Sequence, residues 1–183
     1  MDVHIIVFVT VGFFAQIIDG ALGMAYGVTS TSFLLALGVS PAAASASVHT
    51  AEVFTSGASG FWHLRFGNVE RGLFKRLLIP GIIGGILGAY ILTTIPGEKM
   101  KPWVALYLLL MGGLIVRKVF KRAPSGASRP SVVPLGLAGG FFDAMGGGGW
   151  GPIVTSTLVA RGEQPRYVVG SVNLAEFFVT VAE

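Results

Sequence analysis

Residues 12–56 recur at 136–180 without a gap, so one set of local rules must fold both stretches. The first reads GFFAQIIDGALGMAYGVTSTSFLLALGVSPAAASASVHTAEVFTS, and the second reads GLAGGFFDAMGGGGWGPIVTSTLVARGEQPRYVVGSVNLAEFFVT. Fifteen positions are identical at an offset of 124, among them Asp19/Asp143, Gly23/Gly147, Gly27/Gly151, Thr31/Thr155, Ser32/Ser156, Pro41/Pro165 and Glu52/Glu176. Two more apolar segments follow Glu52, whereas the second copy reaches only Glu183. The pattern predicts that this chain lacks the C-terminal part of a second module. It divides into a first module at 1–122, a basic linker at 123–131 and the start of a second, truncated module at 132–183.

Composition supplies the solvent. Hydrophobic residues make up 52% and charged residues 12%, against roughly 25% charged in soluble domains. Mean hydropathy is +0.73. The expected fold class is all-α, a polytopic integral membrane protein. No Lys or Arg precedes Arg65; bases then cluster at 65–76, at 117–129, and at Arg161 and Arg166. The net charge of +4 therefore marks membrane sidedness, and the basic, aromatic-laced groove of a nucleic-acid binder is missing. The absence of Cys excludes disulfides and thiolate chemistry. Asp2 stands where a signal peptide would carry a base, so the N-terminal segment reads as a retained membrane segment.

Residues 41–60, 77–95 and 102–120 are expected to cross as simple helices, which need about 17–25 residues. Pro41 and Pro102 fall where a helix starts. Phe61, Trp62, Trp103 and Tyr107 fall near segment ends, where aromatics favour the interface. The duplicated segments differ, because glycines interrupt them at Gly20–Gly23–Gly27 and at 146–149. We expect re-entrant half-helices meeting at Gly-rich breaks, with two short crossings as the alternative. Placing the 65–76 loop in the cytoplasm brings every strongly basic loop to that side. Three crossings then separate the copies, so the repeats are inverted, as in alternating-access carriers whose sites lie between copies.

The polar residues supply the candidate chemistry. Ser45, His49, Glu52, Ser56 and Ser59 share one helix face, and the second copy keeps Asn173, Glu176 and Thr180. A carboxylate at the depth of Glu52 costs at least ~2.5 kcal/mol. It ties helices together, carries a coupling proton or gates substrate. His49 is alone on its stripe, so hydrogen bonding to Glu52 is expected rather than a metal site. Asp19 and Asp143 precede the breaks and either bind free backbone N–H groups or form a cation or proton site. Each break leads into hydroxyl-rich sequence: Thr29, Ser30, Thr31 and Ser32, then Thr155, Ser156 and Thr157. A helix N-terminus carries about +0.5 charge and free N–H donors, and Gly admits close approach. A small-anion site at Gly23, Gly27, Thr29, Thr31, Ser32, Gly147, Gly149, Gly151, Thr155 and Ser156 follows, unless the glycines serve packing alone. The GK[ST] ending of a P-loop is missing, no hydrolase constellation is identifiable, and no cofactor is implied.

At these residues the chain resembles the TauE/SafE family of membrane permeases, also called sulfite exporters. The resemblance rests on DGALGMAYGVTSTSFLLALGVSPAAASASVHTAEVFTSGASG, the GNVE loop, PGIIGGILGAY, GFFDAMGGGGWGPIVTSTLV and GSVNLAEFF. It implies a non-enzymatic multi-pass protein of the cell inner (plasma) membrane that moves sulfite, sulfonates or other small anions. Proton-coupled export is the expected mode, with a passive anion channel or a non-transporting scaffold as alternatives. The expected partners are the anion and the lipid bilayer; a homo-oligomer is compatible with the sequence.

Overall fold

The computed structural model describes residues 3–22, 25–120 and 131–183, and among them every regular element is a helix. These are α1 (Val3–Leu22), α2 (Tyr26–Ala36), α3 (Pro41–Arg65), α4 (Arg71–Thr94), α5 (Gly97–Phe120), α6 (Val132–Gly146), a π turn (Gly151–Thr155), α7 (Ser156–Ala160) and α8 (Pro165–Ala182).

Local chemistry sets most boundaries. Ser40 caps α3 by accepting from the Ala43 N–H at 3.4 Å, with Pro41 in the first turn. Pro165 opens α8 in the same way. Pro102 departs from expectation. The helix begins earlier, at Gly97, where the Lys99 and Met100 N–H groups donate to Pro96 O, so Pro102 lies inside α5. Gly147, with φ +62°, ends α6 in the left-handed region that favours glycine, and Gly148 follows at φ +148°. Gly20 and Gly27, expected to interrupt, instead lie within α1 and α2. Gly23 lies outside the described residues, as does linker 123–130.

The helices bury their small and polar faces and expose their large apolar ones. α4 and α5 are long and apolar enough to cross a membrane, yet their apolar windows are only 33% and 22% buried. Ile79, Ile83, Tyr90, Leu109 and Leu110 stand outward. In water this would be a costly apolar surface; in lipid it is the natural one. α3 has the length of a span, about 37 Å at 1.5 Å per residue, but its Ala, Ser and Gly content leaves it short of the apolarity of α4 and α5.

Glycines on α4 let α6 lie against it backbone to backbone. A methyl on Gly84 would strike Leu137 O, one on Gly88 would strike Phe141 O, and one on Gly140 would strike Gly81 O. Small residues spaced in this way are the usual device for close packing in lipid.

Two hairpins result, entering from opposite ends of the bundle. α6 starts beside Leu77 and Pro80 on α4. After the break the chain returns, Trp150 and Val154 packing on Gly139, to finish with Leu158 beside Leu73 and Val168. Phe8, Val11 and Gly12 of α1 similarly face Ser30, Phe33 and Leu34 of α2, but that hairpin ends in a cluster with Leu92 and Met100, at the other end of α4. The basic loops collect at the Leu73 end. Arg166 donates to Asn68 Oδ1 and Phe66 O, and the Glu70 N–H donates to Ser171 Oγ at 2.8 Å. The weakly charged Ser40 and Gly97 turns meet at the opposite end.

Candidate functional site

The two aspartates do the same thing in both copies. Asp19 Oδ1 accepts from the N–H groups of Ala25 at 2.7 Å and Tyr26 at 3.1 Å. Asp143 Oδ1 accepts from Gly149 and, at 2.9 Å, from Trp150. Each carboxylate therefore reaches six and seven residues forward, at positions related by the 124-residue offset. Of the two roles left open for these residues, the geometry is the backbone-binding one: each Asp crosses its break and satisfies N–H groups that would otherwise be unpaired at the start of the returning half-helix.

The hairpin tips cross at glycine. A methyl on Gly27 would sit 2.5 Å from Gly148 Cα and 2.7 Å from Gly147 O. Three side chains pin the crossing: Thr31 Oγ1 donates to Gly147 O at 2.7 Å, Ser45 Oγ to Ala144 O at 2.7 Å, and the Tyr107 hydroxyl to Gly148 O at 3.3 Å. Tyr107, expected at the membrane interface, is half-buried instead and stacks on Phe142.

A cavity of about 300 Å³ lies beside this crossing. It brings together Asp19, Gly27, Glu52, Asp143, Gly149, Gly151, Asn173 and Glu176 of the expected site residues. Ser56, Ser59 and His63 extend it along α3, and Asn173 donates to Ser59 Oγ at 2.7 Å. The expected hydroxyls stand elsewhere. α2 starts at Tyr26, so Thr29, Thr31 and Ser32 begin a turn later than a helix N-terminus. Thr31 is spent on Gly147, Ser32 is exposed and donates to Val28 O at 2.6 Å, and Thr29 lies off the cavity wall. Thr155 and Ser156 are buried at the far end of the π turn, and Gly147 belongs to the crossing rather than to the wall. Gln16 and Tyr26 line the cavity without having been expected. Gln16 stands three residues before Asp19, on the same face, which is a signal the sequence carried.

The cavity's electrostatics are one-sided. Its lining carries four carboxyl groups (Asp19, Glu52, Asp143 and Glu176) and no Lys or Arg. The half-helix N–H donors that would favour an anion already face Asp19 and Asp143.

His49 is less isolated than its stripe suggested. Its Nδ1 lies 3.0 Å from Glu183 Oε2 and its Nε2 lies 3.8 Å from Glu52 Oε2. His49, Asp143 and Glu183 place donor-type atoms within 4.8 Å of one another. Glu183 carried no signal in the sequence, because nothing in its spacing from His49 announces the contact. A second cavity, of about 430 Å³, opens on the far side of this cluster and is lined by Ser45, His49, Thr180 and Glu183.

Comparison with known proteins gives a family and a relative. The family model described as Sulfite exporter TauE/SafE matches residues 8–183. The probable membrane transporter protein YtnM of Bacillus subtilis (strain 168) is 50% identical over 186 aligned residues, which cover 97% of this chain and 62% of the relative. The chain thus spans less than two thirds of the length of that curated relative. No solved structure matches the chain significantly.

Proposed function

Since the chain belongs to the sulfite exporter TauE/SafE family, we propose that it is part of a membrane transporter, a secondary permease that moves small sulfur-containing or organic anions by alternating access with protons as the coupling ion. The transport class draws on the family and on the name of the Bacillus subtilis relative. A transport role of this kind requires no enzymatic step. The membrane location draws on the lipid-like exposure of α4 and α5. The positive-inside rule assigns the Arg65–Asn68–Arg166 end to the cytoplasm of the cell inner membrane.

The two oppositely entering hairpins support an inverted-repeat carrier with its site at the repeat interface. In this reading residues 1–122 form one module and residues 132–183 belong to the next. The substrate occupies the 300 Å³ cavity, a space equal to about ten waters at ~30 Å³ each. Gly27, Gly149 and Gly151 let the backbone approach it, and Asn173 offers a neutral polar contact.

One observation carries the coupling: four carboxyl groups surround the cavity, and among the described residues no Lys or Arg and only His63 stands against them. Protonating Glu52 and Glu176 removes the repulsion that an anion would meet, so anion binding and proton binding favour each other. The sign follows directly. Affinity for a sulfonate, whose own charge is constant near neutrality, rises as pH falls, and Glu52→Gln flattens the dependence.

The test is uptake of labelled sulfite and sulfoacetate into inside-out vesicles with and without an uncoupler. Loss of uptake with the uncoupler supports coupling. Uncoupler-resistant, downhill flux makes the protein a passive channel, and absence of flux for every small anion removes the transport reading in favour of a scaffold.

A further inference from the structure

His49 lines the 430 Å³ cavity and faces a wall residue of the 300 Å³ one. Its Nε2 faces Glu52, which lines the 300 Å³ cavity, and its Nδ1 faces Glu183, which lines the 430 Å³ one. The first cavity runs toward His63 and the basic end; the second runs toward Ala42 and Thr93 at the opposite end.

The contacts around His49 have an unusual feature. Glu52 Oε2 and His49 Nε2 are both buried, and neither has a hydrogen-bond partner. They face each other at 3.8 Å, beyond hydrogen-bond reach. Orphaned buried polar atoms are uncommon and call for an explanation. Two that point at each other across a gap of this size are explained if a small side-chain movement, or one water, closes the gap at a particular step. On the other ring nitrogen, Nδ1 lies 3.0 Å from Glu183 Oε2, and both Glu183 carboxyl oxygens are likewise buried without a hydrogen-bond partner.

We propose that Glu52, His49 and Glu183 form a gated proton relay joining the two cavities. This rests on the proton-coupled reading above and adds the path to it. In the relay step the Glu52 carboxyl gives its proton to His49 Nε2 while His49 Nδ1–H passes its own to the Glu183 carboxylate. Glu52 ends as carboxylate, His49 as the other neutral tautomer and Glu183 as the acid. Charge and protons balance without a further reactant, and reorientation of the ring resets the chain. The groups facing His49 are Glu52 and Ser45 from α3, Asp143 from α6 and Glu183 from the end of α8. Asp143 uses one oxygen on the break and leaves Oδ2 buried and unpartnered beside the imidazole.

The experiment pairs two measurements on the protein in lipid. In proteoliposomes, labelled sulfoacetate exchange needs no net proton transfer, whereas uphill accumulation under an imposed proton gradient does. His49→Gln is expected to keep exchange within about twofold and to lose accumulation by about tenfold or more. Glu183→Gln should do the same, and Glu183→Asp should restore part of the loss. Accumulation equal to wild type in both neutral variants overturns the relay. Infrared pH-difference spectra without substrate supply the second readout. Carboxyl bands removed by Glu52→Gln and by Glu183→Gln should each shift in His49→Gln; bands that titrate independently of His49 overturn the proposal. So does a divalent metal ion that survives chelation in wild type and is lost in Glu183→Gln, because the cluster would then hold a metal ion. If no anion moves, the spectra alone decide the relay, and the failure belongs to the substrate reading.

Discussion

The two breaks share one clamp but have different surroundings. Asp19 and Asp143 each hold two backbone N–H groups at the same offsets. Yet Asp19 is half-buried on a helix whose neighbours Phe13, Phe14, Ile17 and Ile18 are exposed, whereas Asp143 is 1% exposed. The second break is also braced by Tyr107, continues into a π turn, and is wedged by the fully buried Trp150, whose indole N–H donates to Val172 O at 3.1 Å. The lesson is that the duplicated residues specify a local turn, while the neighbours decide how deeply that turn is held.

The largest expected effect falls where the breaks touch. Gly27→Ala puts a methyl against backbone that cannot yield, and Gly148→Ala adds a strained φ of +148°. Either should cost more than about 3 kcal/mol or prevent assembly. Gly112→Ala, which meets open space, should be silent in thermal unfolding in detergent. Equal melting of all three variants would mean that the crossing is not a rigid contact.

Next comes the clamp itself. Asp143→Ala strands two buried N–H groups and should cost about 3–5 kcal/mol, against about 1–2 kcal/mol for the better-solvated Asp19→Ala. Equal losses would show that the clamp outweighs its surroundings and would break the comparison. A smaller effect is expected from Thr31→Val, about 1 kcal/mol for one buried hydrogen bond to Gly147 O. Thr155→Val, at the repeat-related position, sharpens the comparison: a matching loss would mean that the crossing is pinned from both copies, and a lesser one that it is pinned from the first alone. Ser59→Ala, which removes the partner of Asn173 on a cavity wall, should stay within about 0.5 kcal/mol and show itself in substrate affinity instead.

Much was legible in the sequence because it was local or repeated. The helical elements, the interruption at 146–149, the proline start of α3 and the inward face of Ser45, His49, Glu52 and Ser56 all follow from spacing. The hydroxyls of Thr31, Ser32, Thr155 and Ser156 were assigned to the cavity because they follow glycines in the chain. Their positions depend on where each half-helix starts, and none of the four stands in the wall of the 300 Å³ cavity. Tyr107 looked like an interfacial aromatic because its place in α5 says nothing of what packs there. Glycines 81, 84, 85 and 88 did carry a legible packing signal, but not the identity of the helix they would meet.

The sequence by itself determined the duplicated aspartate turns, the apolar exterior and the single-helix polar stripe, since each depends on interactions within a few turns of one segment. Only the tertiary structure decided that the two hairpin tips cross at Gly27 and Gly148, that four carboxyl groups share one cavity, and that His49 stands between Glu52 and Glu183. Those contacts join residues more than a hundred positions apart in most cases. They arise because close helix packing in lipid is fixed by the shapes of both partners together, which neither segment encodes alone.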